Sequence, residues 1–171
     1  MKFCLALKGN YGVCSSFLSK LEKGNQVTAS IKRNKKFHLP SEKAPVIMIA
    51  NGTGIASFIA MIGKNKNSTL FWGGRSKGSF DLYQPFTEKA PLLHIHLAIS
   101  REQQKRYVQD KIWDQRIAIA YALEKGEHLM IYGSISMMNS VLDTLEKIAD
   151  RKLPIPLNHF EQQVQVLTVC Y

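Results

Sequence analysis

The residues best suited to hold a phosphate are two glycines, Gly52 and Gly54, which lie between an apolar run and a helical pattern. Residues 46–50 form the apolar run, which is typical of a buried strand. Glycine allows a positive φ and a close approach of the backbone to a ligand, and a helix start presents N–H groups to an anion. We therefore predict a turn that binds the phosphates of a dinucleotide, with Thr53 as the helix N-cap. The alternative is a turn that binds nothing, since such glycine pairs occur in many α/β proteins.

Five apolar runs predict the sheet that must position this turn. They span residues 46–50, 69–73, 92–99, 128–133 and 164–169. Their alternation with helical patterns is the βαβ rhythm of an α/β protein, in which a parallel sheet is covered on both faces. Because a ligand binds at the carboxyl ends of such strands, we expect the loops after Ala50, Gly73, Ile99 and Gly133 to converge.

Two helices follow these loops directly. The first carries apolar residues at helical spacing at Ile55, Phe58, Ile59 and Ile62. The last carries them at Met137, Val141, Leu145 and Ile148. We expect Gly63 to end the first helix, and the turn at Gly133 and Ser134 to form a second ligand-facing loop.

The first 40 residues have a different pattern. We predict a strand over residues 1–7, a helix over 16–21, a turn over 23–25 and a strand over 26–31. A piece of this size cannot bury a core of its own. Several polar residues lie within residues 39–44, and prolines stand at positions 40 and 45, so we divide the chain into residues 1–42 and residues 43–171.

The composition of the 171-residue chain excludes several classes of protein. It is 45% hydrophobic and 21% charged, and no apolar run approaches the roughly 20 residues of a membrane span, so we expect a soluble, cytoplasmic protein. Three cysteines without a CxxC pair indicate neither a disulfide framework nor a zinc site. His94 and His96 would face one side of a strand, but without a third ligand we expect no metal.

The net charge of +10 favours phosphorylated cofactors, polyanions or an acidic protein partner. The densest basic run covers residues 32–36, and no nucleic-acid-binding signature accompanies it. We therefore interpret this run as a solvated loop and expect no nucleic acid as a partner.

Five segments together resemble a known family. They are Asn51 to Phe58, Phe71 to Arg75, Ser100 and Arg101 with the stretch Lys105 to Gln109, Tyr132 to Ser134 with Met138, and the terminal Tyr171. With these segments the chain resembles the ferredoxin-NADP reductase superfamily, and more narrowly its diflavin branch, which includes the sulfite reductase flavoprotein. The resemblance implies a five-stranded parallel sheet with strand order 3-2-1-4-5.

The resemblance also implies roles for site residues. The 2′-phosphate and adenine of NADP would be held by Ser100, Arg101, Lys105, Tyr107 and Gln109. The pyrophosphate and nicotinamide would be held by Gly52, Thr53, Gly54, Gly133, Ser134 and Met138, with Arg75 as a candidate for the pyrophosphate or a surface arginine. The interval between Arg101 and Tyr107 is one residue shorter than the family pattern, which leaves open whether Lys105 or Arg106 reaches the phosphate.

The N-terminal piece resembles the last part of an FAD-binding barrel. Its loop of Gly12, Val13, Cys14 and Ser15 is similar to one that binds the FAD pyrophosphate, and Tyr171 occupies the position of a ring that stacks on the flavin. The earlier Arg-x-Tyr-Ser motif of that barrel is absent, so we expect FAD binding to be weak or absent and the chain to be a piece of a longer ancestral protein. Tyr132 and Val169 stand where the family has a cysteine and an acid that assist hydride transfer.

The resemblance implies an NADPH-binding domain that passes hydride from NADPH to FAD, and electrons on to a flavodoxin-like or haem protein. The alternative is a truncated module that binds NADP or another chain and lacks its own flavin. A partner chain would then supply the missing half of the FAD domain. Because the flavin motif is absent, we expect negligible turnover from this chain alone.

Overall fold

A computed structural model describes residues 13–30, 34, 37–40, 44–62, 64, 67–90, 92–102 and 104–170. Within these ranges one parallel sheet contains β1 (Val46–Asn51), β2 (Ser68–Gly74), β3 (Leu93–Ile99), β4 (His128–Gly133) and β5 (Val166–Cys170). The spatial order is β3-β2-β1-β4-β5, which confirms the predicted order. The central β1 pairs with β2 on one side and β4 on the other, so the loops that follow these strands are neighbours.

In the described ranges, helices and one 3₁₀ turn precede or connect the strands. The helices are α1 (Val13–Ser19), α2 (Ala56–Ile62), α3 (Gly78–Asp81), α4 (Gln84–Thr87), α5 (Val108–Asp114), α6 (Arg116–Glu124), α7 (Ile135–Lys152) and α8 (Leu157–Gln162). The 3₁₀ turn covers Gly52–Ile55, between β1 and α2. In the described part of the chain, no helix is both long and apolar enough to cross a membrane.

The sheet has a hydrophobic core on each face, as the apolar runs predicted. Alternate residues of β1 face opposite sides: Ile49 belongs to the core beneath α5 to α8, and Met48 belongs to the core beneath α2 and α3. Both side chains are fully buried. On α7, the predicted apolar face is buried at Met137, Val141, Leu145 and Ile148. The predicted α/β class is therefore confirmed.

The N-terminal piece differs from its prediction. The helix predicted over 16–21 spans Val13–Ser19, so Val13, Cys14 and Ser15 lie in its first turn rather than in a loop before it. The strand predicted over 26–31 is wrong for residues 26–30, which form no regular secondary structure. The strand predicted over 1–7 and the predicted helix end at Gly63 lie outside the described residues.

The last strand begins at Val166, two residues later than predicted. Val164 has a φ of 58°, which is incompatible with an extended strand. The chain turns back from α8 at this residue. The apolar run that predicted the strand therefore begins two residues before the strand itself.

Candidate functional site

An open cleft of about 780 Å³ lies at the carboxyl edge of the sheet. The loops after β1, β2, β3 and β4 all contribute to it, as the βαβ pattern predicted. Seven residues of the predicted site line it: Gly52, Thr53, Arg75, Ser100, Tyr107, Gln109 and Ser134. This volume and this position at the strand ends are typical of nucleotide sites in open α/β sheets.

The glycine turn is a 3₁₀ turn that precedes α2. Gly52 has a φ of 51°, which favours glycine. Gly54 is required for packing instead, because a Cβ at this position would lie 2.4 Å from the carbonyl oxygen of Tyr132. The prediction of Thr53 as the helix N-cap is wrong: the extended residue at the N-cap position is Asn51, and Thr53 lies inside the 3₁₀ turn.

Trp72 on β2 supports this turn from beneath. Its side chain is almost fully buried, and its indole Nε1 donates a hydrogen bond to the Gly52 carbonyl at 2.9 Å. The rings of Phe80 and Tyr83 pack on the indole, with centroid separations of 5.1 and 6.1 Å. The predicted site did not include Trp72, although it lies inside the matched segment Phe71 to Arg75.

The loops after β2 and β3 run side by side. The Ser100 N–H and its hydroxyl both donate to the Gly74 carbonyl, at 2.9 and 3.1 Å, and the Arg101 N–H donates to the Arg75 carbonyl at 2.9 Å. These bonds continue the strand pairing beyond the sheet. They bring Arg75 and Ser100 to the same wall of the cleft, whereas Arg101 is exposed and lies outside the set of residues that line it.

Arg106 lines the cleft, and Lys105 does not. The Arg106 backbone N–H donates to the Ile99 carbonyl at 2.8 Å, and its guanidinium forms a salt bridge with Asp114. Its Nε atom is buried and has no hydrogen-bond partner. The Lys105 ammonium instead lies 5.3 Å from the centroid of the Tyr107 ring. The structure thus places a guanidinium with spare donor capacity at the position that the sequence left open.

Tyr107 presents its ring at the mouth of the cleft. Its backbone N–H donates to the Asp110 carboxylate at 2.7 Å, which fixes the residue at the start of α5. The side chain is 45% exposed although it is aromatic. An exposed ring beside a cationic cleft can stack on a nucleobase.

The fourth loop begins the longest helix. The Ser134 hydroxyl accepts a hydrogen bond from the Met137 N–H at 3.3 Å, which caps α7. Ser134, Ser136 and Met137 line the cleft, so the first turn of this 18-residue helix faces it. Met138, which was assigned to the site, packs against the hydrophobic core instead.

The electrostatics of the cleft favour an anion. Arg75 and Arg106 line it, and none of the described residues that line it is an aspartate or glutamate. The first turn of α7 adds the positive end of a helix dipole. This arrangement can stabilise phosphate groups, and the Asp114 carboxylate that pairs with Arg106 is not among the residues that line the cleft.

Tyr132 and Val169 pack against the hydrophobic core on one face of the sheet, and Met138 packs against the core on the other face. The Tyr132 ring packs against Phe37 with a centroid separation of 5.7 Å, and Phe37 packs against Phe58 at 5.9 Å. Cys170 lies on the other face of β5, where burial raises the pKa of its thiol although a backbone hydrogen bond from Gly133 opposes this shift. Position 132 is therefore filled by an aromatic ring, and the Cys170 thiol packs against the core on the other face of the sheet.

The remaining predicted residues lie away from the cleft or outside the described ranges. Gly12 and Tyr171 are outside them. Val13 is 89% exposed on α1. On β3, His96 stacks on Phe71 at a centroid separation of 4.5 Å, and its pKa is lowered by burial and by the nearby Lys111 and His94. Among the described residues, no group of three or more His, Cys, Asp or Glu side chains could hold a metal ion.

Several known proteins are similar to this chain. A sulfite reductase [NADPH] flavoprotein alpha-component from Vibrio parahaemolyticus is 31% identical over 92% of the chain and 27% of its own length. Another from Shewanella sp. (strain ANA-3) is 35% identical over 77% of the chain and 24% of its own length. A nitric oxide synthase from Bombyx mori is 30% identical over 90% of the chain and 14% of its own length.

The chain therefore belongs to the diflavin reductase branch of the ferredoxin-NADP reductase superfamily. No protein-family model matches it. The chain spans about a quarter of the length of the sulfite reductase relatives and less of the nitric oxide synthase. The family resemblance stated from the sequence is thus confirmed, and the fold agrees with it.

Proposed function

We propose that this chain is the NADPH-binding domain of a flavin-dependent oxidoreductase and holds NADP(H) in the cleft at the carboxyl edge of the sheet. The observation that carries the proposal is the cleft itself, which is lined by Arg75 and Arg106 and by no described acidic residue. NADP carries a pyrophosphate and a 2′-phosphate, and a cleft of this charge suits both. The relatives named as NADPH-dependent support the same ligand.

Within this proposal, Arg106 is the cation that reaches the 2′-phosphate. Its side chain is 36% exposed and lines the cleft, so the guanidinium N–H groups that do not pair with Asp114 can donate to a phosphate oxygen. Asp114 orients the guanidinium through the salt bridge. Ser100, on the same wall, has a hydroxyl that can exchange its bond to Gly74 for one to the phosphate, and the exposed Tyr107 ring can stack on the adenine. Lys105 then has a secondary, longer-range role.

NADPH supplies a hydride from its nicotinamide, and a flavin would accept it. The cleft residues of this chain would orient the nicotinamide, with Thr53, which lines the cleft, as the side-chain contact. A flavodoxin-like or haem protein would then take the electrons. We propose that the flavin is bound mainly by another chain, or by further residues in a longer form of this chain.

The packing of Tyr132 favours a second candidate, a binding module with little catalytic activity. In the family this position carries a cysteine that assists hydride transfer. In this chain the position is occupied by Tyr132, whose ring packs against Phe37. Val169 likewise offers no acid. Such a module would bind NADP and dock to a chain that supplies the flavin domain.

Calorimetric titration of the purified chain with NADP⁺ and with 2′,5′-ADP tests the binding that both candidates share. We expect saturable binding of each. Arg106→Gln should weaken 2′,5′-ADP binding by about tenfold or more, and Lys105→Gln by less than about threefold, because only the arginine makes a charge-assisted hydrogen bond. Asp114→Asn is the control for loss of the salt bridge alone. Equal effects of the two cation variants would contradict the assignment.

An absorbance spectrum and an NADPH oxidation assay with an artificial acceptor separate the two candidates. We expect little bound flavin and negligible turnover from the chain alone. Turnover that appears when FAD is added would favour the reductase, and continued inactivity with intact NADP⁺ binding would favour the module. A yellow protein that oxidises NADPH rapidly would refute the expected dependence on another chain.

A further inference from the structure

One side chain ties the glycine turn to the fourth loop. The Asn51 carboxamide donates from Nδ2 to the Ser134 hydroxyl at 3.0 Å, and its Oδ1 accepts from the Ser134 N–H at 3.0 Å. The same hydroxyl accepts from the Met137 N–H, so the pair is joined to the N-terminus of α7. We call these two hydrogen bonds between Asn51 and Ser134 the clamp.

The local backbone is shaped to admit the clamp. A Cβ at Gly133 would lie 2.1 Å from the Asn51 Oδ1 atom, so only glycine leaves room for the carboxamide. Both clamp residues are half-buried and both line the cleft. Because they are partly shielded from water, their hydrogen bonds compete less with solvent than those of exposed side chains would.

The glycine turn is also held from its other side. The Gly52 carbonyl accepts from the Trp72 indole, which is fixed in the core. The turn is thus attached to β2 through Trp72 and to the α7 loop through Asn51. The loop that carries Ser100 is attached separately, through the Gly74 and Arg75 carbonyls. The two halves of the cleft are therefore held by different hydrogen bonds, although each half is also attached to β2.

We propose that the Asn51–Ser134 clamp positions the glycine turn and the fourth loop so that they receive the pyrophosphate and nicotinamide half of NADP(H) without rearrangement. Asn51 and Ser134 are positioning residues in this account. Loss of the clamp leaves the turn to be ordered on binding, which lowers affinity only for ligands that extend into this half. The inference rests on the proposed function, because it assumes that the cleft binds this ligand.

Calorimetry with two ligands tests the clamp. NADP⁺ reaches both halves of the cleft, whereas 2′,5′-ADP occupies the half near Ser100 and Arg106. For Asn51→Ala, which removes both clamp bonds, we expect NADP⁺ affinity to fall by about tenfold, and for Ser134→Ala, which keeps the backbone bond, by about fivefold. In both variants 2′,5′-ADP affinity should change by less than about twofold. Ser134→Thr keeps the hydroxyl and should restore NADP⁺ affinity to within about threefold of the wild type.

Asn158→Ala is the matched control, since Asn158 is an exposed asparagine on α8. Urea unfolding of each variant establishes that it is folded at the titration temperature, and Ser134→Ala retains one clamp bond if Asn51→Ala does not fold. Equal losses for both ligands, or no loss for NADP⁺, would overturn the clamp while leaving the proposed function intact. A folded wild type that binds neither ligand would overturn both.

Discussion

The replacement of Gly54 by alanine provides a severe test of how the glycine turn is built. The added Cβ would lie 2.4 Å from the Tyr132 carbonyl oxygen, and ordinary contact begins at 3.4 Å, so the main chain must move by the difference of 1.0 Å. No rotamer change relieves this clash, because both groups are backbone or attached directly to it. Overpacking of this kind costs about 1–3 kcal/mol of folding free energy, and we expect the upper half of that range.

The same displacement should reach the ligand. Gly54 packs on β4 while the adjacent Thr53 lines the cleft, so a shift of the turn moves the cleft wall. Misplacement of a binding group by about 1 Å is sufficient to weaken binding by about ten- to a hundredfold. We therefore expect Gly54→Ala to lose NADP⁺ affinity by about this factor.

Two other glycines give matched controls. Gly52 and Gly126 have φ values of 51° and 78°, and a Cβ at either position would meet nothing within 4 Å. Alanine at each should cost about 1–2 kcal/mol through backbone strain alone. Gly126 lies between α6 and β4 and is not among the residues that line the cleft, so Gly126→Ala should lose stability without losing NADP⁺ affinity.

Urea unfolding and calorimetry on the four proteins separate these effects. The expected order of the free energy of unfolding is wild type first, then Gly52→Ala and Gly126→Ala, then Gly54→Ala. A Gly54→Ala protein as stable as the wild type would refute the packing argument. Weakened NADP⁺ binding in Gly126→Ala equal to that in Gly54→Ala would refute the link between the turn and the cleft.

Three further outcomes follow from single features of the fold. Trp72→Phe removes the hydrogen bond to Gly52 and leaves a void, so the free energy of unfolding in urea should fall by about 1–3 kcal/mol, and an unchanged midpoint would contradict this. Val164→Asn removes the backbone strain of a β-branched residue at positive φ, so it should raise the free energy of unfolding by about 1 kcal/mol and raise the melting temperature. A lower melting temperature would show that the strain is absent. Burial lowers the pKa values of His96 and His128 from 6.5, so their contribution to stability is present above this pH and is lost as the pH falls through the lowered values. The free energy of unfolding should therefore fall between about pH 7 and about pH 5. The fall should be smaller in a double variant with asparagine in place of both histidines. A fall equal to that of the wild type would exclude these two histidines as the cause.

The sheet could be predicted from the sequence because buried strands and amphipathic helices leave periodic patterns. The order of the strands came from the family resemblance rather than from those patterns. The strand predicted over 26–31 was wrong for residues 26–30, since β-forming residues such as Val27 make a strand only when a partner strand is available. The N-cap prediction at Thr53 was wrong because a 3₁₀ turn over Gly52–Ile55 precedes α2, and the apolar periodicity of the sequence does not show where such a turn begins.

The sequence predicted where the cleft lies, but it predicted only some of the residues that line it. Asn51 and Ser134 are 83 positions apart, and no local pattern shows that their side chains meet. The choice between Lys105 and Arg106 depends on how Tyr107 begins α5, which directs one side chain onto the ring and the other into the cleft. Met137 lines the cleft and Met138 packs against the core, because neighbouring residues along a helix differ in direction by about 100°.

The comparison of NADP⁺ with NAD⁺ tests the central claim, that the cationic cleft at the carboxyl edge of the sheet recognises a 2′-phosphorylated dinucleotide. The two ligands differ only in the 2′-phosphate, so calorimetric titration of the folded chain measures what Arg106 and its neighbours contribute. We predict saturable NADP⁺ binding that is about 100-fold tighter than NAD⁺ binding, which corresponds to about 2.7 kcal/mol. Equal affinities for the two ligands, or a folded protein that binds neither, would contradict the account.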